Sequence, residues 1–369
     1  MMKPCRFVLS GYYGCGNAGD EAVLAGIKAG FQRLAGDRVQ LLVLSQNPQA
    51  TAALHNLDAV HRMQLAPVKR ALQQSDMLLC GGGSLLQDAT SLRSLIYYLL
   101  VIALALRLRK PVMFFAQGLG PLHRGISRRL VRAAAERAAF ITVRDEESAH
   151  LLRKIGVHHT SIEVTADPAF CLIPDASAKP LLGELAACKR PLVGVALRPW
   201  GAAGEQTTRP YLQLLSALEA VCAAQPILIP MQQPQDVAFA RALIHQGSFS
   251  QPPLLLEQAI SPHQLLSAIA RMQATIAMRL HALIFAVRAA VPPFALRYDQ
   301  KIESQMRLFG LEQNIAHWHD FDPQDVAEKV KELLDRRAAY QQRLSAVSQT
   351  MEERALQNMK IALKVISAC

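Results

Sequence analysis

The chain has 369 residues, 51% of them hydrophobic and 19% charged, and 40 Lys and Arg against 29 Asp and Glu give a formal net charge of +11. That length suits roughly two domains, each able to bury its own core, and the composition excludes a disordered chain. The positive balance favours anionic partners, but no Lys/Arg-rich tail or RNA-binding signature supports nucleic acid.

Phe7–Leu9 is a short apolar run, followed by Gly14, Gly16 and Gly19 in a G-x-G-x-x-G and then by a helical pattern over Asp20–Leu34. Strand, glycine turn and helix are the context of a dinucleotide fingerprint. A dinucleotide would also need an acidic residue at the end of the second strand, and Ser45, Gln46 and Asn47 stand there instead. Asp20 and Glu21 would repel a pyrophosphate at the helix start, and Asp20 is expected to be the N-cap. The glycines are expected to serve close approach of another substrate, or only a tight turn.

Further strands are expected at Leu41–Leu44, Met77–Cys80, Val112–Ala116, Ile141–Val143 and Ile162–Val164. Helical patterns at Gln49–Leu54, Leu92–Leu108, Ile126–Ala138 and Glu146–Ile155 separate them. Short apolar strands linked by helices predict a parallel sheet covered on both faces. Cys171–Pro191 carries three prolines and reads as a linker. Alternation restarts with strands at Leu192–Leu197, Ile227–Ile229, Leu254–Leu256, Thr275–Met278 and Phe294–Leu296. The intervening helices are Tyr211–Ala223, Asp236–His245, Pro262–Arg271 and Leu280–Ala290, and one long helical pattern runs from Pro323. The expected fold class is α/β, two Rossmann-like domains with parallel sheets in a GT-B-like arrangement around a cleft. The expected boundaries are 1–175 and 191–320 for the domains, 176–190 for the linker and 321–369 for a C-terminal helical segment.

Met1 to Pro4 lead directly into a strand, so no signal peptide is expected. The most apolar stretch, Leu95 to Leu106, is closed by Arg107 and Arg109 and falls short of the roughly 20 residues that span a bilayer. The seven cysteines are odd in number, scattered and without a C-x-x-C pair, which argues for reduced thiols in a cytoplasmic protein and against a zinc site.

Ligands of open parallel sheets gather beyond the carboxyl ends of the strands. In the first half those ends deliver the glycine turn, Gly81 to Asp88, Gln117 to Pro121, and Arg144. In the second half they deliver Arg198-Pro199-Trp200, Met231 to Asp236, Arg279-Leu280-His281, and Arg297 to Lys301. Each has a plain reading beside the functional one. Gly81-Gly82-Gly83-Ser84 is an anion nest or a sharp turn. Arg279, between a buried strand and an apolar helix, must meet an anion from substrate or from an internal Asp or Glu. His281 alone would be structural. Arg144 has Asp145, Glu146 and Glu147 beside it for a local ion pair, Lys301 could be a solvated helix start, and Arg93 a surface residue. The helix with Arg124, Arg128, Arg129, Arg132 and Arg137 is either a solvated face or a contact for anionic lipid. Convergence of Arg144, Arg198, Arg279, Arg297 and Lys301 on strand ends suits a small, multiply charged anion.

The ordered motifs GYYGCGNAGDEAVL, GGGSLLQD, QGLGP, TVRDEES, ADPAF, ALRPW and MRLHALIFA together resemble the polysaccharide pyruvyl transferase family, in particular its CsaB-like branch, which modifies cell-wall polymers. The resemblance runs from about Phe7 to Lys301. It implies phosphoenolpyruvate as donor and transfer of pyruvate as a ketal onto a sugar, with an amino-sugar of a lipid-linked precursor as the expected acceptor. By this similarity Arg144, His281 and Lys301 fall at the donor site, with Arg279 and Arg198 beside them. Asp236 suits a general base and His281 a general acid or proton shuttle. Arg93 falls on the acceptor side, where Gly14, Asn17, Gly82, Gly83, Ser84 and Asp88 are also expected. No cofactor or metal is expected. The protein is expected in the cytoplasm, with a peripheral contact to the inner membrane face as a further expectation. Two alternatives are a nucleotide-sugar glycosyltransferase of similar fold and a non-catalytic glycan- or lipid-binding protein.

Overall fold

The short apolar runs do become parallel strands. A computed structural model describes residues 4–367 except 90, 160, 176–184, 186, 200–207 and 258–260. In the first part of the chain β1 (Cys5–Tyr13), α1 (Ala18–Ala35), β2 (Val39–Ser45), α2 (Pro48–His55), β3 (Asp58–His61), α3 (Leu65–Gln74) and β4 (Met77–Gly81) come first. They are followed by α4 (Leu92–Arg107), β5 (Val112–Gln117), α5 (Gly125–Ala135), β6 (Phe140–Val143), α6 (Glu146–Lys154) and β7 (Ile162–Val164). The seven strands lie in the order β3-β2-β1-β4-β5-β6-β7, all neighbours parallel.

β4 and β5 are buried at every position, as a strand covered on both faces must be. Successive side chains point to opposite faces. Phe114 joins Val68, Leu72, Leu95, Ile102 and Val131 under α3, α4 and α5. Phe115 turns the other way, its ring 6.4 Å from Phe31 of α1, which in turn lies 5.0 Å from Phe7.

The second part contains β8 (Leu192–Ala196), α7 (Arg209–Cys222), β9 (Gln225–Leu228), α8 (Gln235–Gln246), β10 (Leu254–Leu255), α9 (Pro262–Ile269) and β11 (Ala274–Ala277). Then come α10 (Leu280–Arg288), β12 (Pro293–Arg297), α11 (Gln300–Leu308), β13 (Ile315–His317), α12 (Pro323–Asp335) and α13 (Arg337–Ser367). Its six strands are ordered β10-β9-β8-β11-β12-β13, again all parallel. Each sheet is thus Rossmann-like, reversing its strand order once, between β1 and β4 and between β8 and β11. Those reversals are where such sheets open a crevice for ligands.

The chain divides into two compact units, Met1–Leu172 with Met351–Cys369, and Ile173–Thr350. A separate helical segment over 321–369 is therefore not what forms. α12 contributes Val326, Ala327, Val330 and Leu333 to the core of the second unit. The end of α13 belongs to the first, where buried Asn358 receives the Thr165 hydroxyl at 2.8 Å and donates to the Ala166 carbonyl at 3.1 Å. β3, α3, β13 and α11 are elements beyond the sequence reading. Of the expected linker, residues 176–184 and 186 lie outside the described residues, as does Trp200. The described cysteines are free thiols.

Candidate active site

In the second unit, loops after four adjacent strands carry the expected polar residues. Following the sheet order β9-β8-β11-β12, they are Asp236, Arg198, Arg279 with His281, and Lys301. Arg279 is the N-cap residue of α10, with extended backbone at φ −92° and ψ 120°, and His281 is the second residue of that helix. Lys301 sits in the first turn of α11, its amide bonded to the Asp299 carboxylate at 3.1 Å. The Arg198 guanidinium lies 4.7 Å from the centre of the Tyr298 ring. Since Arg198 follows β8 and Tyr298 follows β12, this cation–π contact bridges the strands on either side of β11. Two helix N-termini and the cations of Arg198 and Lys301, at the carboxyl ends of neighbouring strands, form a surface suited to an anion.

Arg279 meets its anion inside the protein. Its Nε donates to Asp236 Oδ2 at 3.1 Å and a terminal nitrogen donates to Oδ1. The backbone amides of Met231 and Gln232 also donate to Oδ2, at 3.1 and 2.9 Å. The Asp236 side chain is 1% exposed. A carboxylate whose two oxygens accept from four donors is held by protein groups, and this arrangement argues against the expected role as general base. Arg297 is likewise neutralised: its guanidinium pairs with Glu303 and touches His317 Nε2.

In the first unit the glycine turn is closed by protein groups. Asn17, not Asp20, caps α1, its side-chain oxygen accepting the amides of Gly19 and Asp20 at 2.9 and 3.1 Å. Asn reaches both amides from the position before the helix, and Asp20 falls within the first turn instead. The Gly14 amide, where a pyrophosphate would bind, donates to Glu21 Oε1 at 2.8 Å. The other oxygen of Glu21 lies 2.7 Å from His55 Nε2. A dinucleotide therefore meets a carboxylate where its phosphate would have to sit.

The loops after β4 and β5 extend side by side. The Gly118 amide donates to the Gly83 carbonyl and the Gly120 amide to the Leu86 carbonyl, both at 3.0 Å, and Gln117 Nε2 donates to the Gly83 carbonyl at 3.0 Å. Gly82 has φ +82° and faces Val23 closely, so a side chain there would be strained and crowded. Arg144, following β6, runs under this pair of loops. It donates to Ser84 Oγ at 2.9 Å and to Asp167 Oδ2 at 3.0 Å, with Asp145 Oδ2 at 3.6 Å. Its side chain is 3% exposed and that of Asp167 1%. The ion pair expected for Arg144 exists, but its main partner is Asp167, and a guanidinium this buried and paired argues against the donor-binding role expected of Arg144. Asp167 lies in ADPAF, a motif quoted for the resemblance but given no role. Gly118 permits the fit, since a Cβ there would lie 2.9 Å from Arg144 Nε.

Asp88 faces inward. It accepts the His123 amide at 2.7 Å and the Arg124 amide at 2.9 Å. Burial pushes its pKa up, but these hydrogen bonds outweigh that and hold it below the usual carboxylate range. It anchors the start of α5 and is not presented to an acceptor. Arg93, in the first turn of α4, is exposed. Sequence reasoning missed Arg62, after β3, whose guanidinium lies 4.2 Å from the centre of the Tyr97 ring. Its signal is absent from the sequence because β3 itself is weakly patterned. Among the described residues, the exposed group His317, His319 and Asp320 has ligand atoms close enough for a metal ion, but the Arg297 cation already abuts His317.

A family model described as polysaccharide pyruvyl transferase matches residues 17–300. No curated protein matches the chain in sequence. Among solved structures, Anabaena Alr3699/HepE in complex with UDP and glucose superposes with a TM-score of 0.63 at 12% identity, covering 99% of this chain and 100% of that one. S. aureus MnaA with UDP gives 0.63 at 14% identity, covering 99% and 98%. UDP-GlcNAc 2-epimerase from Neisseria meningitidis bound to UDP-GlcNAc gives 0.60 at 12% identity, covering 100% of both. At such identities the likeness is one of fold, and it agrees with the α/β, GT-B-like class. The family match takes in most strands of both sheets and the segments that carry Arg144, Arg198, Asp236, Arg279 and His281, ending one residue before Lys301, and on that ground the chain belongs to the polysaccharide pyruvyl transferase family.

Proposed function

We propose that this protein transfers the pyruvyl group of phosphoenolpyruvate onto two hydroxyls of a sugar as a ketal, releasing phosphate. The observation that carries this reading is the row of Arg198, His281 and Lys301 on neighbouring strand ends of the second sheet, with Arg279 held beside His281 by Asp236. Phosphoenolpyruvate has a carboxylate and a phosphate, and a trianionic ligand needs fixed cations and helix N-termini of this kind.

His281 donates a proton to the methylene carbon, which leaves a cationic centre at the neighbouring carbon. A sugar hydroxyl adds there and gives its proton to His281, phosphate departs with its bonding electrons, and the second hydroxyl closes the ketal as its proton passes to the departing phosphate. The His281 imidazole that has given up its proton thereby regains one from the first hydroxyl and acts as a shuttle. With Asp236 committed to four donors, the shuttle replaces a separate carboxylate base, and Asp236 becomes a positioning residue for Arg279. Lys301 and Arg198 hold the donor's anionic groups and stabilise the departing phosphate. On the acceptor side Arg144 and Asp167 keep the Gly82-Gly83-Ser84 loop in place, while Asn17 and Gly14 shape the neighbouring turn and Arg93 is free to reach the glycan. The acceptor is a sugar of a cell-surface polymer precursor, and the reaction is cytoplasmic, where the donor is made.

Ligand-dependent melting tests the reading, because a ligand that binds only the folded state adds about 2.7 kcal/mol of stability at a hundred times its Kd. Phosphoenolpyruvate should raise the melting temperature, while UDP-sugars and NAD should leave it unchanged. A shift with a UDP-sugar and none with phosphoenolpyruvate would overturn the proposal.

A further inference from the structure

Between Asp88 and Glu136 the chain carries eight Arg and Lys residues and no Asp or Glu. This stretch forms α4 and α5, which touch each other and pack on the same face of the first sheet. Their inward sides are apolar, through Leu95, Tyr98 and Ile102 of α4 and Val131 and Ala135 of α5. Their outward sides are unusual. Along α4 the residues Arg93, Ile96, Leu100, Ala103 and Arg107 follow one another at helical spacing and are all exposed. On α5 Ile126 and Leu130 share an exposed stripe, with Arg129 alongside and Arg124 at the helix start.

The aliphatic residues are far from water-shy edges. Leu100 is 63% and Ile126 54% exposed, and Leu65 at the start of α3, in the same layer, is 70% exposed. Large aliphatic side chains grouped on adjacent helices mark an interaction surface rather than ordinary solvent contact. The partner must also be anionic, since guanidinium groups border the stripe and no acid from α4 or α5 offsets them. Neither helix is a membrane span: among the described residues no helix is long and apolar enough to cross. Both can lie flat.

We propose that the outer face of α4 and α5 seats on an anionic lipid bilayer. Ile96, Leu100, Ile126 and Leu130 enter the boundary between head groups and acyl chains, and Arg124 and Arg129 meet lipid phosphates. The inference stands apart from the donor chemistry, because no residue of the proposed proton shuttle or phosphate site is used. It would bring the protein to a lipid-linked acceptor of the kind the family resemblance implies.

Flotation of the full chain with vesicles tests it. The wild type should float with phosphatidylcholine vesicles containing phosphatidylglycerol, stay in solution with phosphatidylcholine alone, and be released by salt. Arg124→Gln with Arg129→Gln should weaken partitioning about thirtyfold at low salt, as expected for two basic contacts. Leu100→Ser with Ile126→Ser should abolish it, and Arg271→Gln, an exposed change on the second unit, should do nothing. Because the two Arg are solvent-exposed, their replacement tests the surface without threatening the fold. Wild type that ignores both vesicle types, or Arg variants that float like wild type, would overturn the proposal. So would a dimer that dissociates on Leu100→Ser while vesicle binding persists, which would make the face a subunit contact.

Discussion

Arg279 and Asp236 stand 43 residues apart in sequence and meet as a two-pronged pair, Nε to Oδ2 at 3.1 Å and a terminal nitrogen to Oδ1. The pair joins the loop after β9 to the N-terminus of α10, so it sets the position of His281 two residues beyond Arg279. Asp236→Ala would strand a guanidinium and two backbone amides, and should destabilise the second unit by about 3–5 kcal/mol, measured by urea unfolding. Asp236→Asn keeps the shape. If Asp236 positions Arg279, the Asn variant raises KM for the donor more than it lowers kcat. A collapse of kcat at unchanged KM and stability would restore the general-base role.

The first glycine turn makes a second prediction. Gly14 has φ +71°, and a Cβ there would crowd Ser45 Oγ and lie 2.6 Å from the Asn47 amide nitrogen. Strain and crowding together should cost about 2–5 kcal/mol in Gly14→Ala. Thermal unfolding that matches the wild type would show that the turn relaxes freely.

Arg144 and Asp167 form the buried ion pair of the first unit. Removing either alone leaves the other buried without its nearest opposite charge, at about 3–5 kcal/mol, whereas Arg144→Ala with Asp167→Ala should lose far less than the sum. A double-mutant cycle of unfolding free energies reads this coupling. Additive losses would mean that the two side chains act independently.

Asp88 predicts a pH dependence. Its folded pKa lies below the ordinary value of 3.8, so the unfolded state takes up a proton first as the medium is acidified. Its contribution is therefore complete above about pH 4 and lost as pH falls through the lower folded value. Asp88→Asn should reduce stability by about 1–2 kcal/mol at pH 7 and pH 5, and by less at pH 3. A penalty that stays constant from pH 7 to pH 3 would contradict the assignment.

Much of the fold was legible because buried parallel strands are continuous apolar runs. Met77–Cys80 and Val112–Ala116 are such runs, and the structure extends each by one residue. β3 (DAVH) and β13 (IAH) lie at or near sheet edges with partly exposed positions, so their apolar signal is weak. α3 carries a proline in its first turn and no side-chain cap, which hides it from a reading of caps and periodicity. At the site, the residues at strand ends were legible but their partners were not. Nothing local to MRLHA points to Asp236, and nothing local to TVRDEES points past Asp145 to Asp167. Pairings of that kind depend on which strands become neighbours, and strand order is a property of the whole sheet.

The most direct test of the central claim is to follow phosphate release and ketal formation together, with phosphoenolpyruvate and a glycan acceptor, for wild type and His281→Ala. The wild type should release one phosphate per ketal formed, and the variant should lose about 10²–10⁴-fold with its fold intact. Undiminished turnover by His281→Ala, or a wild type that leaves phosphoenolpyruvate untouched while consuming a UDP-sugar, would contradict it.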